Sequence, residues 1–225
     1  MSRRLPVYLL IDSSGSMIGE PIHSVNVGIS AMLSSLRQDP YALESVFLSL
    51  ITFDSNVKEL TPLTSLEQVQ IDDIQLPRSG ATHLGEALAF VADKVGNNVI
   101  RTTGDIKGDF RPMLFIMTDG SPSDLMAFRE SLPKIRESQF SEIVACAAGP
   151  KANKDYLLQI TKNVVVLENM DSSSFTQFFK WVSDLITANM SGMMEAPVSD
   201  GTETGVVNDL PTPPPAVKFV FKEII

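Results

Sequence analysis

Short apolar runs alternate with amphipathic helical patterns along the first 190 residues, and this alternation restricts the fold more than any other feature. The runs are rich in β-branched residues and are bounded by turn residues, as buried strands are. Strands that alternate with helices predict an α/β fold, in which a doubly wound, mostly parallel sheet carries helices on both faces. The predicted strands lie at residues 5–11, 46–53, 57–60, 112–117, 142–148 and 163–167, and the predicted helices at 18–37, 84–95, 122–138, 155–161 and 172–190.

One of the six predicted strands runs against the others. The turn residues 54–56 separate the run at 46–53 from the shorter run at 57–60, and this spacing is typical of a β-hairpin. We therefore expect a six-stranded sheet with one antiparallel edge strand, an arrangement common in doubly wound folds.

The composition changes after the last predicted helix. We expect one domain at residues 1–190, a linker rich in Gly, Ser, Thr and Pro at 191–216, and an apolar, strand-like segment at 217–225. Two alternatives stay open for the terminal segment. It could be an added edge strand or packing segment on the domain, or a strand offered to the sheet edge of a partner.

The charge and the cysteine content exclude several classes of function. A formal net charge of −9 argues against binding to nucleic acid or to an anionic membrane surface, because both depend on Lys and Arg. Cys146 is the single cysteine, which excludes an internal disulfide and a multi-cysteine zinc site. We find neither a signal-peptide pattern nor a long apolar span, so we expect a cytoplasmic protein.

Oxygen-bearing side chains follow two of the predicted strands and stand in a loop between them. They are Asp12, Ser14 and Ser16 after the first strand, Thr82 before a helix, and Asp119 after the strand at 112–117. In a doubly wound sheet these two strands flank the crevice where ligands bind. Two carboxylates and three hydroxyls suit a hard divalent cation, first of all Mg²⁺, with Mn²⁺ or Ca²⁺ as alternatives. With the hydroxyls as direct ligands and the carboxylates acting partly through water, the cation stays net positive, so that it can take an anionic oxygen from outside.

Most of these residues also have a structural alternative, and Asp119-Gly120 alone is an ordinary turn. Ser14, Ser16 and Thr82 are common turn or N-cap residues, and Thr82 is an N-cap candidate for the helix that follows it. Four more residues are candidates for the rim of the site or its surroundings: Glu20, Asp54, His83 and Asp124.

The pattern resembles the metal-ion-dependent adhesion site (MIDAS) of the von Willebrand factor A domain family. The signature of that family is Asp-x-Ser-x-Ser, then a Thr in a later loop, then an Asp after a core strand. All five positions have a match in the right order, and the resemblance covers residues 5–190: the matches are Asp12, Ser14, Ser16, Thr82 and Asp119. The resemblance implies a cation that coordinates the side chain of an Asp or Glu of a partner protein. Because no bond chemistry is implied, we expect a binding module and not an enzyme.

A finer similarity points to the bacterial tellurite-resistance proteins of the TerY type, which carry an A domain. It rests on four segments, at residues 4–8, 36–40, 42–44 and 107–112. The similarity implies a scaffold or regulator in a stress-response system, with a protein kinase and a PP2C-type phosphatase as candidate partners.

The alternative to a binding module is a Mg²⁺-dependent phosphatase or other hydrolase that uses Asp12 as its nucleophile. Haloacid-dehalogenase-type enzymes look similar but need a second Asp two residues later, where this chain has Ser14. A serine cannot replace that carboxylate as an acid or base. The P-loop and Gly-x-Ser-x-Gly patterns of other enzyme classes are absent. The sequence therefore favours binding, and the hydrolase is the second hypothesis.

Overall fold

Seven strands form one mixed sheet in the computed structural model, which describes residues 3–76, 80–104, 107–150, 152–195 and 210–220. The strands are β1 Leu5–Asp12, β2 Val46–Phe53, β3 Val57–Ser65, β4 Met113–Thr118, β5 Glu142–Ala148, β6 Asn163–Leu167 and β7 Val217–Val220. The helices are α1 Glu20–Leu36, α2 Pro40–Ser45, α3 Leu84–Asn98, α4 Leu125–Glu137, α5 Lys154–Ile160 and α6 Ser172–Glu195, and a 3₁₀ turn covers Gly15–Met17.

The strand order is β3-β2-β1-β4-β5-β6-β7. The five inner strands β2, β1, β4, β5 and β6 are parallel, whereas β3 and β7 pair antiparallel at the two edges. The prediction of a doubly wound, mostly parallel α/β sheet with an antiparallel hairpin strand at one edge is confirmed. β7 makes seven strands where we expected six, and it gives the sheet a second antiparallel edge.

The added strand comes from the apolar segment near the end of the chain. Val217 pairs with Leu167 and Val220 with Val164, so this part of the segment is an edge strand of the domain's own sheet. The Nε1–H of Trp181 in α6 donates to the carbonyl of Pro211 at 2.8 Å and so holds the approach to β7. Residues 196–209 of the predicted linker and residues 221–225 lie outside the described part of the chain.

The central strand β1 is buried along its whole length, as expected for a strand that is covered on both faces. Its side chains alternate between two core layers. One layer contains α1 and α6, and the other contains α3, α4 and α5. Leu5, Val7, Leu9 and Ile11 point to the first layer, and Tyr8 and Leu10 point to the second.

Most helix bounds differ from the predicted ranges by one to five residues, and two features of the segment that contains α1 and α2 have a local cause. The 3₁₀ turn and Gly19, with its φ of 92°, delay the start of α1 to Glu20. The pair Asp39-Pro40 ends α1 and also begins α2, which we did not predict. The side chain of Asp39 accepts from the backbone N–H groups of Tyr41 and Ala42, so it caps the new helix.

The segment 107–112, which contributes to the finer sequence similarity, closes the end of the sheet opposite the predicted metal loops. The guanidinium of Arg4 donates two hydrogen bonds to the carboxylate of Asp109, at 2.8 and 2.6 Å. The same carboxylate accepts from the backbone N–H of Ile100 at 2.8 Å. These contacts give Asp109 a structural role in this segment. Within the described part of the chain, no helix has the length and hydropathy needed to cross a bilayer.

Candidate metal centre

The first loop of the site begins at the last residue of β1. The Oδ1 atom of Asp12 accepts from the backbone N–H of Ser14 at 2.8 Å, which closes a tight turn. The Oδ2 atom accepts from the hydroxyl of Thr118, at the end of the neighbouring strand β4, at 2.5 Å. Parallel pairing of β1 with β4 brings these two strand ends together. The carboxylate of Asp12 is therefore held in one orientation before any ligand arrives.

A direct side-chain contact joins the first loop to the loop that follows β4. The hydroxyl of Ser16 donates to Oδ1 of Asp119 at 2.8 Å, and the hydroxyls of Ser14 and Ser16 lie 3.2 Å apart. Asp12, Ser14 and Asp119 are buried, whereas Ser16 is exposed. Four of the five predicted ligands thus form one connected group that opens to solvent on the Ser16 side.

The fifth predicted ligand, Thr82, reaches the group from the loop before α3. A Cβ atom placed on Gly120 would lie 3.3 Å from the hydroxyl of Thr82, so this hydroxyl lies against the residue that follows Asp119. Ser123 fastens the loop, because its backbone N–H and its hydroxyl both donate to the carbonyl of Thr82, at 2.9 and 3.0 Å. The structure therefore brings all five residues to the carboxyl-terminal end of the central strands β1 and β4.

Asp124 connects the same two loops in a way that the sequence did not indicate. It precedes α4, where an Asp is usually the N-cap of its own helix. Instead, its carboxylate accepts from the backbone N–H groups of Gly85 and Glu86 in the first turn of α3, at 3.1 and 2.8 Å. We considered Asp124 for the rim of the site, but its carboxylate caps α3 and secures the loop that carries Thr82.

The other candidates from the surroundings take different places. Asp54 is buried at the hairpin tip, where its Oδ1 accepts from the backbone N–H of Asn56 at 2.7 Å. The backbone of Gly80 packs against the side chain of Asp54, so Asp54 supports the loop that carries Thr82. His83, not Thr82, is the N-cap residue of α3. Glu20 is exposed at the start of α1.

Comparison with known proteins identifies the family. Residues 7–181 match the von Willebrand factor type A domain. The chain belongs to this family. No curated protein matches the sequence of this A domain.

Solved structures share the fold of this A domain. Proximal thread matrix protein 1 from the mussel byssus, solved with a zinc-occupied MIDAS motif, is 19% identical with a TM-score of 0.60; the alignment covers 82% of this chain and 48% of that one. A von Willebrand factor type A protein from Catenulispora acidiphila is 14% identical with a TM-score of 0.58, over 82% and 43% of the two chains. The ArnB paralog VWA2 from Sulfolobus acidocaldarius is 20% identical with a TM-score of 0.55, over 82% and 45%. The chain thus spans about half the length of these structures.

The electrostatics of this A domain centre on Asp12. Burial raises the pKa of its carboxyl to about 6, and the hydrogen bonds from Ser14 and Thr118 oppose the shift, while the nearby charge of Asp119 adds to it. Within the described residues, no lysine or arginine pairs with Asp12. A buried carboxylate with a second carboxylate close by and no positive partner is a site that a cation would stabilise.

The donor set fits a hard divalent ion. It consists of carboxylate and hydroxyl oxygens, which suit Mg²⁺ and similar ions, and it contains no sulfur or imidazole ligand. In the described part of the chain no three His, Cys, Asp or Glu side chains cluster as metal ligands. The hydroxyls of Ser14, Ser16 and Thr82 are the further oxygen atoms that could complete a ligand set. The arrangement can hold a cation with few negative ligands.

Proposed function

We propose that this A domain is a protein–protein interaction module whose binding depends on a divalent cation. The observation that carries the proposal is the convergence of three loops at the carboxyl-terminal end of the central strands. The Ser16–Asp119 hydrogen bond and the contact of Thr82 with Gly120 bring four oxygen-bearing side chains together around the buried Asp12. They are Ser14, Ser16, Thr82 and Asp119. This geometry supports a MIDAS, and the family is one of interaction and adhesion modules.

Each proposed ligand would have a distinct part. The hydroxyls of Ser14, Ser16 and Thr82 would bind directly, because they are neutral and leave positive charge on the ion. Asp12 and Asp119 would balance part of the charge, in part through water. A bound cation would supply an open coordination position for an external carboxylate oxygen. We propose Mg²⁺ as the ion, with Mn²⁺ and Ca²⁺ as alternatives.

The partner would supply an Asp or Glu side chain. The wider setting is a further proposal: a cytoplasmic scaffold or regulator in a bacterial tellurite-resistance or stress-response system, linked to a kinase and a PP2C-type phosphatase. Its support is the sequence similarity of the four short segments described above. Pull-down from a bacterial lysate in Mg²⁺, followed by identification of the captured proteins, tests this setting; capture without any kinase or phosphatase would contradict it.

Titration of the protein with Mg²⁺ and Mn²⁺ in a calorimeter tests the site itself. Thr82→Ala should weaken cation binding by tenfold or more, because a hydroxyl ligand is lost and methyl cannot replace it. Thr64→Ala is the matched control, since the hydroxyl of Thr64 bonds only to the carbonyl of Pro62 on the exposed β3 strand. Equal cation affinity for both variants would remove Thr82 from the site.

The hydrolase hypothesis makes a different prediction for the same residue. It requires Asp12 to attack a phosphorus atom, but both carboxylate oxygens already accept hydrogen bonds from Ser14 and Thr118. Turnover of a generic phosphate ester with Mg²⁺ should therefore be no faster for the wild type than for Asp12→Asn. Robust turnover that disappears in Asp12→Asn would favour the enzyme over the binding module.

A further inference from the structure

Exposed apolar side chains are concentrated beside the candidate metal centre. Three of the seven large hydrophobic side chains that the described residues expose directly follow the two loops that carry Ser16 and Asp119. We call these three residues, Ile18, Leu125 and Met126, the apolar rim. The other four, on α1, α2, β3 and the segment after α3, are Val27, Tyr41, Leu60 and Ile100.

The contacts between loops place the apolar rim at the same end of the sheet as the candidate metal centre. Ile18 stands two residues after Ser16, whose hydroxyl bonds to Asp119. Leu125 follows Asp124, whose carboxylate is bound to the first turn of α3 next to Thr82. Ile18 on one side, and Leu125 with Met126 on the other, thus adjoin loops that carry or hold proposed ligands.

None of the three side chains of the apolar rim belongs to either core layer of the domain. α4 packs through Phe128, Ser131 and Ile135, whereas the side chain of Met126 is 76% exposed. Ile18 is 46% exposed in the turn before α1. Exposed apolar side chains that follow the loops of a binding site and lie outside the core are a candidate surface for a partner.

The charge of the chain restricts what that partner can carry. With a net charge of −9, the chain repels a strongly acidic segment. A single carboxylate would still reach the cation, and apolar neighbours of that carboxylate would gain contact with Ile18 and Met126 without any charge penalty. Apolar contact at the rim therefore complements the one polar bond that the site offers.

We propose that the apolar rim selects partner segments in which one Asp or Glu stands between apolar residues, rather than acidic runs. This inference rests on the proposed function, because it assigns the neighbours of the carboxylate that the cation would bind. It goes beyond that function in naming Ile18, Leu125 and Met126 as the residues that determine specificity.

A peptide library tests the proposal directly. Phage would display random nine-residue peptides with a fixed central Asp, be captured on the full chain in Mg²⁺ and be eluted with EDTA. We expect the eluted sequences to be enriched in apolar residues within two positions of the Asp. Enrichment of acidic runs, or no preference at these positions, would overturn the inference while the dependence on Mg²⁺ would uphold the proposed function.

Variants then separate the rim from the metal site. Met126→Gln keeps a good helix former in α4, and it should weaken binding of a selected peptide by tenfold or more while Mg²⁺ affinity stays unchanged. Ile100→Gln is the matched control, because Ile100 is 51% exposed but follows α3 at its far end, about 20 Å from the metal loops. Equal effects of the two variants would overturn the inference. A chain that binds Mg²⁺ but enriches no peptide in its presence would instead overturn the proposed function, and the inference with it.

Discussion

Gly85 is the position where a single added methyl group should do the most damage, because α3 and α4 meet there at backbone contact. A Cβ atom at Gly85 would lie 2.1 Å from the backbone nitrogen of Phe128 and 2.5 Å from the Cα atom of Phe128 and the carbonyl carbon of Ala127. Ordinary contacts of a Cβ atom are 3.4–4 Å. Backbone atoms cannot rotate away, so the start of α4 would have to move outward by more than about 1 Å.

The expected cost of Gly85→Ala follows from two losses and one gain. Overpacking against a rigid neighbour costs up to about 3 kcal/mol. The shift would also stretch the hydrogen bonds from Gly85 and Glu86 to the carboxylate of Asp124, which adds about 1.5 kcal/mol. Alanine in a helix offsets about 1 kcal/mol of this. The free energy of unfolding should therefore fall by about 3 kcal/mol, which corresponds to a melting temperature lower by about 6–12 °C.

Urea unfolding followed by circular dichroism measures this difference, and Gly96→Ala in the same helix is the matched control. Gly96 is exposed and has nothing within 4 Å of its added Cβ, so the same substitution there should stabilise the protein by up to about 1 kcal/mol. An unfolding midpoint for Gly85→Ala equal to that of Gly96→Ala would refute the close approach of α3 and α4.

Three more predictions concern the site and the terminal strand. Asp124→Ala should weaken Mg²⁺ binding measured by calorimetry although Asp124 is not a proposed ligand, because the Thr82 loop loses its anchor. Asp39→Ala removes a comparable cap from α2 and should leave Mg²⁺ affinity unchanged. Equal effects of the two variants would contradict the role of Asp124 in holding the Thr82 loop. In EDTA, wild type should lose about 2.5 kcal/mol of stability relative to Asp12→Asn between about pH 4 and pH 7, because the folded carboxyl, with a pKa of about 6 against the usual 3.8, holds its proton more tightly than the unfolded one. Urea titrations at each pH measure that difference, and a constant difference would show that Asp12 is not buried as described. Trp181→Phe should lower stability by about 1 kcal/mol and speed amide exchange in β7, because the bond to Pro211 is lost; unchanged exchange would show that β7 does not depend on it.

The strands of the parallel sheet were predictable because a strand that is buried on both faces requires a continuous apolar run in the sequence. β2, β5 and β6 have the predicted bounds, and β4 differs by one residue at each end. β3 was harder to predict: it continues to Ser65 through Pro62, a residue that edge strands tolerate but that sequence patterns treat as a break.

The candidate site was predictable as a set of residue types, and the geometry among them was not. Asp12 and Asp119 stand at strand ends that any doubly wound sheet places side by side, so topology alone brings them together. The role of Asp124 was missed because a capping carboxylate before a helix normally serves that helix. Only the close approach at Gly85 lets it reach the start of α3 instead.

By itself, the sequence determined which segments are buried and which oxygen-bearing side chains follow the central strands β1 and β4, because both are properties of short stretches of sequence. The tertiary structure decided how the loops are joined: Ser16 to Asp119, Thr82 to Ser123, and β7 to the edge of β6. These contacts pair donors and acceptors that lie far apart in the chain. Which of them meet depends on the unsatisfied backbone and side-chain groups that the packed helices and strands leave within reach.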